Sequence, residues 1–210
     1  MRKNMKAASI AIIATLAFLL LLAILHILKP EIDPSWRVIS EYEIGRFGWI
    51  MQLSFISLAI GSLSLFIALK SHIHTLSARI GLGLLLVTVV GITIGAIFPS
   101  DPITTPRDAF TTAGSLHNFG GLLSVLMFPI VATFITWGLR GSKDWKSIHL
   151  LLLLLTTIVW LSLGAYFATY YASGAVGPDV PIGWPNRTFI VVYSFWVIAA
   201  AWQVVRLEKR

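Results

Sequence analysis

Apolar residues in this chain do not alternate with polar ones; they run. Six windows carry no Asp, Glu, Lys or Arg: residues 7–28, 47–69, 80–100, 109–139, 147–178 and 188–205. A helix needs about 20 apolar residues to cross the hydrocarbon core, so each window holds one span. The two longest windows end in polar stretches, "AFTTAGS" and "YYASGAVGP", that read as loop, and neither is split in two. Runs such as "LLLLLL" lack the two-residue period of barrel strands. The pattern predicts an all-α polytopic membrane bundle. Its single integral domain covers 1–210, with six transmembrane helices near 8–28, 48–69, 80–98, 116–138, 148–171 and 188–206.

Composition agrees: 57% of the residues are hydrophobic and 12% charged, outside the usage of soluble domains. "MRKNMK" followed by a long apolar run imitates a signal peptide, but the run is too long for an h-region and ends in "HILKP" without small residues for cleavage. It is read as a retained first helix. Cysteine is absent, which removes disulfides, thiolate nucleophiles and Cys-ligated clusters.

Alternating the six spans places eleven of the sixteen Lys and Arg on the side of the termini, and seven of the nine acids on the other. The positive-inside bias then predicts both termini in the cytoplasm and residence in the inner (cytoplasmic) membrane. The net charge of +7 is accounted for by topology, so no nucleic-acid partner is expected. The expected partner is the lipid bilayer itself; oligomeric state is not encoded in any pattern here.

Several small residues suit helix packing. Ser54, Ser57, Gly61 and Ser64 form one stripe in span 2, and Gly91 with Gly95 allows close approach in span 3. Pro129 is expected to kink span 4. Trp36, Trp49 and Trp184 fall near one boundary and Trp137, Trp145 and Trp202 near the other, as in an aromatic belt.

The outward connections, near 29–47, 99–115 and 173–186, carry nearly all the proline and most of the acids. They bring Ser40, Glu41, Glu43, Arg46, Asp101, His117, Asn118, Asn186 and Arg187 to one membrane depth. Elaboration on one face marks where function sits. Asp101, between Pro99 and Pro102, is held stiffly at the exit of span 3. His117 can exchange protons near neutrality. A hydrolytic arrangement would make His117 the general base, Asp101 its orienting carboxylate and Ser40 the nucleophile, with Arg187 and Asn186 holding a phosphate or oxyanion. In a variant of this idea Glu41 and Asp101 share a divalent ion. Glu41, Arg46, Asn118, Asn186 and Arg187 are the expected ligand-binding residues, for a lipid headgroup or small amphipathic molecule. A non-enzymatic structural, regulatory or sensory role is the alternative, and a transporter of a neutral or lipid-like solute the third. No cofactor is expected. His72 and His74 have the His-x-His spacing of a metal pair but no acidic or third ligand beside them, His26 and His149 sit singly near span ends, and nucleotide-loop and hydrolase signatures are absent.

Three segments in order, "LKPEIDPSWRVISEYEIGRFGWIM", "IFPSDPITTPRDAFTTAGSLHN" and "GPDVPIGWPNR", resemble the marker segments of the bacterial membrane family designated DUF998, a domain of unknown function. The resemblance extends over essentially the whole chain. It implies a polytopic membrane protein whose family motifs gather on one face, and no particular reaction. It also implies that Ser40, Glu41, Asp101, His117, Asn186 and Arg187 act together.

Overall fold

The computed structural model describes residues 2–174 and 176–210. Among them six helical segments are long and apolar enough to cross a membrane, and no strand occurs. The spans are α1 (Arg2–Leu28), α2 (Gly48–Leu69), α3 (Leu76–Ile97), α4 (Thr112–Gly121) running through a π-turn (Leu122–Leu126) into α5 (Met127–Leu139), α6 (His149–Ser173) and α7 (Gly183–Leu207). Two starts are capped by threonine, as the sequence chemistry allows: Thr75 accepts from Ala78 N and Thr111 from Gly114 N. Gly174 closes α6 in the left-handed conformation.

Helix α1 packs on α2 and α7, α2 on α3, α3 on α4 and α5, and α6 on α5 and α7, while α2 also meets α7 across the middle. The ring is therefore closed everywhere except between α4 and α6, which make at most marginal contact. Outward from this ring, leucines such as Leu150 and Leu161 remain exposed, as a lipid-facing surface requires.

The small residues do the packing expected of them. A side chain at Gly61 would collide with Thr15 on α1, and Ser54 Oγ donates to the Phe18 carbonyl 3.1 Å away. Ser57 leaves the stripe and bonds its own Leu53 carbonyl. Gly91 and Gly120 lie against each other: a Cβ on either would come within 2.6 Å of the other's carbonyl oxygen. This close approach seats α4 on α3.

Span 4 is not a uniform α-helix: a π-turn lies one turn ahead of Pro129. Proline has no N–H for the Val125 carbonyl, so the ladder is already open there and the turn widens. Helix α7 begins five residues before the expected span. The charge of Arg187 excluded these residues from the apolar window, yet the helix includes it because its guanidinium is fully engaged. Trp145 is buried and so is no part of a belt, whereas Trp49, Trp184, Trp137 and Trp202 are exposed.

Both chain ends meet on one face. Asn4 Nδ2 donates to Ser71 Oγ (2.8 Å) and to Glu208 Oε1 (3.1 Å), and His72 Nε2 lies 3.2 Å from the same carboxylate oxygen. The three longer connections cover the opposite face, here termed the loop face.

Candidate functional site

The loop face is built from the segment between α1 and α2. Lys29, just past α1, is buried and points its ammonium at the carbonyls of Tyr42 (3.1 Å) and Ile44. Burial pulls its pKa down, partly offset by Glu31. Arg187, from the first turns of α7, reaches the same segment from the other side. Its Nε donates to His26 Nε2 (2.9 Å), and its terminal nitrogens to the carbonyls of Pro34 (3.1 Å), Arg37 (2.6 Å) and Gly183 (3.2 Å) and to Tyr42 Oη (3.4 Å). His26 Nδ1 donates to the Leu22 carbonyl, which fixes the neutral tautomer able to accept from Arg187. Gly183 is required here: a Cβ would meet the Pro34 carbonyl at 2.4 Å.

The expected constellation separates into two sets. Arg187 is not placed to hold an anion, because every nitrogen of its fork is spent on the protein. Glu41 is likewise consumed. One carboxylate oxygen accepts from Arg37 Nε (2.7 Å) and Val38 N (3.2 Å), the other from Ile103 N (2.9 Å), so both oxygens are engaged in tying two loops together. Arg46 is exposed and stacks on Phe47, away from the other groups. Asp101 does not orient His117. It accepts from Thr111 N (2.8 Å) and Thr111 Oγ1 (2.9 Å), and its carboxylate lies where a Cβ on Gly114 would be, over the favourable positive end of α4.

The carboxylate that meets His117 is Glu43. Its Oε2 is 3.1 Å from His117 Nδ1, which also donates to the Phe98 carbonyl at 2.8 Å. Ser100 N donates to the same carboxylate oxygen at 3.0 Å, and Ser100 Oγ to the Ser40 carbonyl at 3.0 Å. Glu43 is buried, and its Oε1 has no partner among the described residues. Burial holds its carboxyl above the usual carboxylate range, with His117 and the Ser100 amide opposing. The backbone that presents it is tight: Gly45 and Phe47 both adopt positive φ, and a Cβ on Gly48 would come 1.9 Å from the Glu43 carbonyl.

The sign of the resulting pH dependence follows. A raised carboxyl holds its proton more firmly folded than unfolded, so its contribution is complete below the ordinary carboxylate range and is lost as pH rises through the raised value. Thermal midpoints across that window are expected to fall for the wild type and to stay level for Glu43→Gln, which remains neutral. Parallel curves would show that Glu43 is not the group responsible.

Above and beside this pair lies a cavity of about 240 Å³, lined toward the loop face by Ser40, Ser100, Asp101, His117, Asn118 and Asn186. Its deeper wall is Phe55, Leu58, Ile92, Val125, Phe189 and Ile190. Asn186 is partly engaged, accepting from Ile39 N at 3.0 Å. The Ser40 hydroxyl, the Asn118 amide and the Tyr166 hydroxyl make no hydrogen bond with the described residues. Sequence reasoning missed Tyr166, whose position inside an apolar window gave no signal. It also misassigned the partner of His117, although "SEYE" offered Glu43 beside Glu41. No group of three or more metal-ligating side chains occurs among the described residues.

Six apolar crossings, a capped loop face and a cavity that is polar at one end and apolar at the other define a multi-pass membrane protein. Over residues 12–203 the chain matches the family described as a protein of unknown function (DUF998), and it belongs to that family. No curated protein and no solved structure matches it.

Proposed function

We propose that the protein binds the head of a lipid or other small amphipathic molecule in the loop-face cavity. One observation carries this reading: hydroxyl and amide groups without protein partners, on Ser40, Asn118 and Tyr166, line one cavity with a continuous apolar wall. Ligand pockets combine a mostly apolar lining with a few convergent polar groups in this way. In this reading the loop face looks away from the cytoplasm, which the distribution of Lys and Arg supports.

The test is native mass spectrometry of the gently purified protein with lipid extraction, wild type against a Ser40→Ala, Asn118→Ala double variant. Neither side chain holds the fold together, so the thermal midpoint is expected to be unchanged while a specific bound species disappears. Identical bound lipid in both proteins would leave the cavity a structural gap and sink the proposal.

Hydrolysis of the bound molecule is a second reading, favoured by the Glu43–His117 pair and by Ser40 on the same cavity. A carboxylate that orients an imidazole beside a hydroxyl is the arrangement of a general base and its nucleophile. Release of acid from a bound ester by the wild type, lost in His117→Gln, would be its signature.

A further inference from the structure

The cavity does not end at its own wall. Asn118, Gly121, Val125, Tyr166, Asn186 and Phe189 line it and also line a second space of about 220 Å³. That space continues between the π-turn and α6, where Leu122, Leu126, Leu163 and Phe167 form its sides. It occupies the one gap in the helix ring, since α6 packs on α5 and α7 and scarcely touches α4. Leu163 and Tyr166 lie ten and seven residues before the end of α6 at Ser173. At the helical rise this is about 10–15 Å below the loop face, the level of the hydrocarbon core. The opening therefore faces acyl chains, and its lining matches them.

The polar end has its own chemistry. Among the described residues lining the cavity the only ionisable acid and base are Asp101 and His117, apart from two tyrosines, and His117 is paired with Glu43. The nearby cations are committed elsewhere: Arg187 and Lys29 both donate to backbone carbonyls. A phosphate placed here would meet the Asp101 carboxylate, while the one basic side chain on the lining, His117, is already balanced by Glu43; burying a charge that is not compensated is strongly unfavourable. The groups without partners, the hydroxyls of Ser40 and Tyr166 and the amide of Asn118, are neutral and can each donate and accept. Alcohol groups satisfy them.

We infer that the site takes an amphiphile with an uncharged, hydroxyl-bearing head, admitted sideways from the bilayer through the gap between α4 and α6. This rests on the binding reading above and adds the class of head and the route. Gly121 is the control point. It lines both spaces, and a Cβ added there meets nothing within 4 Å, so a side chain can be added at their junction without a backbone clash.

The experiment incubates the purified full-length protein with two probes of equal acyl chain, a monoacylglycerol and the lysophosphatidic acid that replaces one hydroxyl by phosphate. Retention is read by native mass spectrometry for wild type, Gly121→Leu and Gly164→Leu. Gly164 on α6 is equally open but lines neither space, which makes it the control. The expected result is a preference for the monoacylglycerol on the order of tenfold, lost in Gly121→Leu, kept in Gly164→Leu, with thermal midpoints alike in all three. Equal or better retention of the phosphate probe would overturn the uncharged head while leaving the binding reading standing. Undiminished monoacylglycerol in a folded Gly121→Leu would overturn the lateral route. Retention of neither probe by the wild type, with no other amphiphile extracted from it, would overturn this inference and the binding reading together.

Discussion

Arg187→Ala is expected to lower the thermal midpoint by on the order of 10 °C. The side chain is buried, and its fork holds His26 on α1, the carbonyls of Pro34 and Arg37 in the first connection and Tyr42 beyond them. Removing it leaves these acceptors facing a cavity. A buried acceptor without a donor costs about 1–3 kcal/mol, and breaking a buried charged network about 3–5 kcal/mol in all. Lysine would restore little, because one ammonium cannot reproduce a planar fork that bonds in three directions. Scanning calorimetry of the three proteins in one detergent checks this. A midpoint within a degree or two of wild type for Arg187→Ala would show that α7 is joined to the first connection by something else.

The second large effect concerns His117. His117→Ala strands the Glu43 carboxylate in a buried place, with the Ser100 amide as its remaining donor. A loss of about 2–4 kcal/mol is expected, because an uncompensated buried charge is the costly half of a broken pair. Adding Glu43→Gln to that variant should recover at least half of the loss, since the amide is neutral. The recovery is the informative quantity: the double variant should be more stable than the sum of the single effects allows. Strict additivity in this cycle would mean that the two side chains do not sense each other.

These two residues also show how far the sequence could be read. Helix number and order followed from charge-free windows, because the bilayer forbids exposed polar backbone and leaves little choice of element. The loop-face residues were legible as a group for a related reason: charges excluded from the spans must collect between them. Their pairing was not legible. Asp101 and Glu43 are both acids at the right depth, and the choice between them for His117 depends on the path of two short connections. Thr111 offered a clue, since a threonine capping α4 brings an N–H and a hydroxyl that can occupy Asp101. Arg187 was misread because a cation near a helix start invites an anion. Only the folded chain shows that backbone carbonyls from the first connection are already there.

The π-turn of span 4 has a consequence for how this protein tolerates change in length. A π-turn is equivalent to one residue inserted into an α-helix, and each residue turns a helix by about 100°. Deleting a single residue between Leu122 and Leu126 would leave an unbroken α-helix, locally more regular than the present one. It would also swing α4 by about that angle against α5, carrying His117 away from Glu43 and Gly120 away from Gly91. The extra residue thus acts as a gear tooth. It lets one helix present its pocket-facing side at the loop face while its other half keeps a different side against α3 and α6.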